Sequence, residues 1–525
     1  MPAHHLPALP RRLVLGRMAT WAAWMGTSCV ALPARAQTEG ASSSPTTTPL
    51  QMDAALAEQW RALSRLGYGA NAQLAASLQT FTDTKGWALQ QLDAAARASQ
   101  LAPQLDTELQ DMAGPITRIF DGVQRERQAR AAIKATAASD SKKVADKEVH
   151  QRLDFSTAPD PLYFSRTMAE KAAVWRLQSC CQPERENPLL ARMTEFWFNH
   201  LNVYIGKGPV RPFVGHYLIH VARAHALGRF EDLLLASARH PAMLHYLDQA
   251  QSVAEGTRGA QGTTRGLNEN YARELMELHT LGVDGGYSQT DVRELAKVLT
   301  GWTIGPNSSD GFRFAMRLHE DGSKKVLGHT YPQGFFRRGE AEGVDAIRML
   351  AHHPSTARRL SLRLAQFFVA DNPSPELVRR LSRSFLESQG DIRSWMQTLV
   401  ESTEFWDPGN RLFKTPMDYA CSVLTATQGA QDRKNLLLTL GFLNNAGQPL
   451  HGWQTPDGYK TDAATWLVPE ALTRRADFAL QIGRQNSDLE FLHPFMGLAT
   501  LQTVAAQRPA LRNGLLLASP EFMYK

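Results

Sequence analysis

Apolar side chains recur every three to four residues along most of this chain, the spacing of helices that bury one face. MDAALAEQWRALSRLGYG opens the pattern with an amphipathic helix that stops at Gly67. The same period runs through 161–180, 187–203, 209–238, 267–281, 289–301, 340–388, 391–402 and 413–440. One segment departs from it. GFRFAMRLHEDGSKKVLGHTY alternates Phe312, Phe314, Met316 and Leu318 against polar neighbours, with Asp321-Gly322 as the expected turn of a β-hairpin. Residues 104–157 include a charged, alanine-rich stretch with few large apolar residues, read as a long exposed helix or a disordered insertion. From 441 to 465 the chain turns loop-like, rich in Gly, Pro, Asn and aromatics. No fixed repeat is present, and no linker follows residue 50. The expected fold is mainly α: one large helical domain over 51–525, with a small β-hairpin insertion near 312–329.

The 268–281 stretch concentrates the candidate chemistry. Projected at 100° per residue, Tyr271, Ala272, Leu275 and Leu278 form an apolar arc, with Met276 and Leu281 at its edges. Gly282 ends the helix, and Ser288 with Asp291 supplies a capping box for the next. Most of the acidic residues here are explained as caps or solvated groups. Two residues are not: Glu274 at the edge of the arc and His279 inside it. A carboxyl in that position needs partners or a raised pKa, the way general acids and bases are made. Asn270 and Arg273, each within one turn, are the expected orienting groups, which makes Glu274, Asn270 and Arg273 the catalytic candidates. The bland reading is a boundary glutamate and a satisfied core histidine.

A second apolar-face histidine, His200, lies with Met193, Phe196 and Trp197 in ARMTEFWFNHLNVY. With His279, and with His319 near the expected hairpin turn, it gives a candidate ligand set for a divalent metal. There is no H-E-x-x-H, and none of these three has a second histidine four residues away, so the pattern matches no recognised metal signature. G-x-S-x-G, Walker and dinucleotide fingerprints are missing as well. In the 444–459 loop, Asn444, Asn445, Gln448, Trp453 and Tyr459 suit a carbohydrate surface or an ordered loop.

Charge and cysteine content narrow the class. The 525 residues carry a formal +6, but Arg11, Arg12, Arg17 and Arg35 all precede residue 37, in a segment with no acidic residue. Without them the rest is near neutral, which argues against nucleic-acid binding. Arg11-Arg12 precedes LVLG and a mostly apolar run, and Ala34-Arg35-Ala36 follows. Residues 1–36 therefore read as a cleaved twin-arginine-type signal rather than a stable transmembrane anchor, 37–50 as a Ser/Thr/Pro-rich tether, and the protein as periplasmic or secreted. Cys180, Cys181 and Cys421 remain after cleavage, enough for one bridge from Cys421 to the vicinal pair and too few for a disulfide framework.

Several segments taken together resemble a known family. RLGYGAN, MTEFWFNHLNVY, RHPAMLHYLD, NENYARELMELHTLGVDGGYSQTDVRELAKVLTGW, LHEDGSKKVLG, HHPSTARRLSLRLAQFFVAD, LVESTEFW and GQPLHGWQTPDGY are similar to the bacterial domain-of-unknown-function family 1800 (DUF1800), over roughly 60–525. The resemblance implies a large, helical, exported protein and lends no catalytic residues. The family often carries a second histidine in the FWxNHF block where Phe198 stands here, which weakens a metal reading at that position. Its members are often encoded beside an exported phosphatase- or sulfatase-like family, which implies a partner of that kind. Two functions are therefore expected in competition. One is a hydrolase of cell-surface or polymeric material such as a glycan; the other is a non-catalytic scaffold for an exported phosphatase/sulfatase-like partner.

Overall fold

Helices here begin where the sequence supplies a side-chain acceptor followed by proline. Asn187 accepts the Leu189 and Leu190 N–H groups ahead of the Pro188–His200 helix. His353 accepts from Ser355 ahead of Pro354–Phe368, and Thr415 and Asp418 form a capping box ahead of Pro416–Thr427. Each acceptor satisfies N–H groups that the first turn leaves open, and proline at the first position loses nothing by lacking one. The computed structural model describes residues 54–81, 83–137, 153, 155, 160–257, 266–484 and 488–525. The expected signal (1–36) and tether (37–50) lie outside the described residues, as does 138–152 of the charged stretch. The earlier part of that stretch is the Ile116–Ala137 helix, buried at Ile116 and Ile119 and exposed over 131–135.

The fold is mainly α, and the core forms where the Pro188–His200, Pro354–Phe368 and Ile392–Val400 helices meet. Trp197 packs on Trp395 and Phe230 at ring separations of 6.4 and 5.6 Å, and Phe196 meets Phe367 edge-on at 5.5 Å. The Trp197 indole N–H donates to the Ala226 carbonyl at 2.9 Å, so this buried ring leaves no polar atom unmet. On the same helix, Arg192 is fully buried against Asp418, which also accepts from Lys525 Nζ at 2.5 Å. Cys180, Cys181 and Cys421 are buried free thiols, with Cys421 in contact with both members of the pair.

The β insertion differs in detail from the expected hairpin. Two separate antiparallel ribbons form: β1 (Trp302–Ile304) with β2 (Phe312–Phe314), and β3 (Lys324–Val326) with β4 (His329–Tyr331). The alternation ends at Phe314, because Met316–Leu318 is a 3-10 turn. Asp321-Gly322 lies before β3 rather than at its turn. The tight turn falls at Leu327-Gly328, where both residues have positive φ (47° and 84°), as a two-residue hairpin requires. Leu327 N–H is anchored on Asp291 Oδ1 at 2.7 Å, which offsets part of the strain of a leucine in that region.

Candidate active site

The helix that carries Glu274 changes pitch beneath it. Asn270–Glu274 is α-helical and Leu275–His279 is a π-turn. Wider i→i+5 turns of this kind are rare and concentrate at functional sites. Thr280 Oγ1 donates to the Leu275 carbonyl at 2.6 Å, and Gly282 N–H, at φ 90°, closes back onto the Met276 carbonyl at 3.1 Å. The wider turn rotates the second half of the helix away from a 100° projection. Met276 and His279 are fully buried, while Leu278, expected in the apolar arc, is only half-buried. Ser288 and Asp291 form the expected capping box of the following Gln289–Leu299 helix.

Glu274 is half-buried and makes no hydrogen bond or ion pair among the described residues. Burial raises its pKa, and the negative charges of Glu277 and Asp457 add to that against an opposing Arg273. The expected orienting residues act elsewhere. Asn270 Nδ2 donates to the Leu247 carbonyl at 3.2 Å, and Arg273 pairs with Glu269 at 3.3 Å and Gln289 at 2.9 Å. Arg273 reaches Glu274 through its field alone.

Glu274 lies in the field of Asp457, which belongs to a loop. Residues 449–459 are pinned onto the end of the Pro188–His200 helix by two asparagines. Asn199 Nδ2 donates to the Tyr459 carbonyl at 2.8 Å and its Oδ1 accepts the Tyr459 N–H at 2.7 Å. Asn202 Nδ2 donates to the Trp453 and Thr455 carbonyls at 3.1 and 2.9 Å. Within the loop, Asp457 Oδ1 accepts from the Trp453 indole at 2.9 Å and the Thr455 hydroxyl at 2.6 Å, which fixes that carboxylate. Tyr246 donates to the Gln454 carbonyl at 2.7 Å. Its pKa is raised by burial first and then by the charge of Glu274.

Gly458 is what lets this loop lie flat. Its φ is 73°, and a Cβ there would collide with the Asn199 carbonyl oxygen. Gly458→Ala is therefore expected to destabilise by about 2–3 kcal/mol, from left-handed strain plus loss of the Asn199–Tyr459 pair. A urea midpoint that converts to within about 0.5 kcal/mol of the parent would show that the loop docks without this constraint.

A basic group adjoins the π-turn. His200 Nε2–H donates to the His279 carbonyl at 3.0 Å, and the two rings lie 6.4 Å apart. Both imidazoles are buried. Burial, followed by the charges of Arg359 and Arg363, lowers His279 to about 3 and His200 well below its ordinary value, so both are neutral. Arg359 donates through Nε to the Leu278 carbonyl at 3.2 Å, and Arg363 to the Asp457 carbonyl at 3.4 Å.

The structure thus brings His200 and His279 together and leaves His319 out. His319 donates through Nδ1 to the Thr300 carbonyl at 2.9 Å, and its Nε2 lies 3.2 Å from both Glu342 Oε1 and Lys324 Nζ. That buried network uses both ring nitrogens. Among the described residues no three His, Cys, Asp or Glu side chains gather as metal ligands. The expected set of His200, His279 and His319 is therefore not assembled, because the third member sits in the β insertion beside its own acid and base. Asp457, Tyr246, Asn199, Asn202, Arg359 and Arg363 were not singled out from sequence. Their only signal was that they fall inside the segments that carry the family resemblance.

Residues 61–524 match the model of a family described as "Protein of unknown function (DUF1800)". No curated protein and no solved structure matches the chain.

Proposed function

The chain belongs to the DUF1800 family, and we propose that it is an exported hydrolase of polymeric, glycan-type material with Glu274 as its general acid. The observation that carries this reading is a half-buried carboxyl with a raised pKa and no partner among the described residues, in the field of a second carboxylate held in place by hydrogen bonds. Two carboxyl groups whose surroundings differ in this way divide acid and base roles between them. Glu274 gives its proton to the leaving oxygen. Asp457 takes a proton from the attacking water, whose oxygen joins the carbon being cleaved. Tyr246, anchored on Gln454, lies in the field of both carboxyl groups.

The test is release of reducing ends from a panel of bacterial cell-surface glycans by the purified protein, followed across pH. Turnover is expected on at least one polymer, falling on the alkaline side as Glu274 loses its proton, at a pH above that of an ordinary glutamate. No turnover on any member of the panel would overturn the hydrolase and leave the scaffold reading.

Export is part of the same proposal and rests on Arg11-Arg12 and Ala34-Arg35-Ala36. Sequencing of the exported protein is expected to begin at Gln37. A mature chain that still starts at Met1 would count against it.

A further inference from the structure

Arg359 and Arg363 are four residues apart on one helix, so their side chains share a face. Both are half-buried, and each gives one hydrogen bond to a backbone carbonyl. No carboxylate lies within ion-pair distance of either among the described residues. Glu277 attracts Arg359 and Asp457 attracts Arg363 through their fields only.

Five of the six buried arginines among the described residues face a carboxylate or an aromatic ring, and Arg61 gives only one bond, to the Trp406 carbonyl. Arg176, Arg192 and Arg223 pair with Glu195, Asp418 and Glu186. Arg65 and Arg475 rest on aromatic rings and donate to carbonyls. Arg359 and Arg363 have neither a carboxylate nor a ring against them among the described residues, and two partly desolvated like charges on one face repel each other. A guanidinium has five N–H donors in a rigid fork, and each of these spends one of them on a bond of 3.2 or 3.4 Å. Bracing the π-turn and the loop would not need two such groups.

A second observation points to the same place. His200 and His279 are 2% and 1% exposed, and His200 Nδ1 and His279 Nε2 have no hydrogen-bond partner among the described residues. Because His200 Nε2–H donates to a carbonyl, Nδ1 is a bare lone pair suited to a hydroxyl donor. Both rings sit in the field of the two arginines. Unspent cationic forks beside an unspent acceptor match a ligand that carries an oxyanion next to hydroxyl groups.

We propose that Arg359 and Arg363 form an oxyanion subsite that binds a carboxylate, sulfate or phosphate group on a hydroxylated substrate. The substrate class this names, an anionic polysaccharide, rests on the hydrolase reading; the anion binding itself does not. Held by the forks, the anionic group would orient the polymer so that the bond to be cleaved lies between Glu274 and Asp457.

The experiment is calorimetric titration and thermal melting of the full chain with glucuronate, inorganic sulfate and inorganic phosphate, against chloride at equal ionic strength and uncharged glucose. At least one oxyanion is expected to bind saturably and raise the melting temperature, with chloride and glucose inert. Preference for glucuronate assigns a carboxylate-bearing polymer; preference for sulfate or phosphate assigns an esterified one. Arg359→Gln and Arg363→Gln should each weaken binding at least tenfold without lowering the melting temperature of the free protein. Should either fail to fold, Arg363→Lys, which keeps the charge and loses the fork, should still weaken binding severalfold. Glu274→Gln should bind the anion as the parent does. No saturable binding of any oxyanion, or unchanged binding in the arginine variants, overturns the subsite. Anion binding by a protein with no turnover on any polymer overturns the hydrolase and leaves the subsite standing, and turnover that survives Glu274→Gln overturns only the role of Glu274.

Discussion

Glu274→Gln is expected to lower turnover by about 10²–10⁴-fold, the usual worth of a positioned general acid, while the protein melts at the same temperature or higher. The two halves of this result have one cause. The Glu274 carboxyl is half removed from water, lacks a hydrogen-bonding partner and lies in the field of Glu277 and Asp457. Folding gains nothing from its charge, and an isosteric amide relieves the repulsion at no cost in packing. A structural glutamate behaves in the opposite way, because replacing it strands a donor and costs about 1–3 kcal/mol. Arg273 and Asn270 provide an internal control. Both are committed to other partners, Glu269 and Gln289 for one and the Leu247 carbonyl for the other. Thermal melts set beside initial rates decide the matter: full activity with a lowered melting point would end the catalytic assignment.

Asp418→Asn is expected to cost about 3–5 kcal/mol, the range for breaking a buried ion pair from one side. Burial alone would push the Asp418 carboxyl up, but Arg192 and Lys525 outweigh it and hold the group well below the usual carboxylate range. Removing the charge leaves two cations buried together and also weakens the Thr415–Asp418 capping box. The sign with pH follows. A carboxyl with a lower pKa folded than unfolded stabilises above its unfolded value, near 3.9, and that stability is lost as pH falls toward the folded value. Denaturant titrations at pH 4 and pH 2 should therefore show the parent losing stability on acidification and the variant losing less. Activity per folded molecule should persist, since Asp418 supports the Pro188–His200 helix from the side away from its Asn199 and His200 end. A variant as stable as the parent at pH 7 would mean that this cluster is neutralised in another way.

Local features of the chain were legible without any structure. Apolar spacing gave the helices, Gly282 and the Ser288–Asp291 box gave the ends of the two that flank the site, and Glu274 stood out as a carboxyl at an apolar edge. Each depends on residues within one or two turns, where spacing alone fixes the geometry. The π-turn escaped a 100° projection because it arises from the fit of Leu275–His279 into the core, and it exchanged Leu278 for Met276 on the buried face. The turn at Leu327-Gly328 escaped because a leucine with positive φ is not a turn signal until a contact such as Asp291 holds it. Which residues meet Glu274 was beyond any local rule. Asn270 and Arg273 are near in sequence but turn to other partners. Asp457 and Tyr246 come from two distant segments, and His319, expected to join His200 and His279, is held by Glu342 and Lys324. The sequence by itself determined a helical protein with an uneasy glutamate. Only the tertiary structure decided its neighbours, because the partners of a half-buried charge are chosen by packing between segments that no periodicity connects.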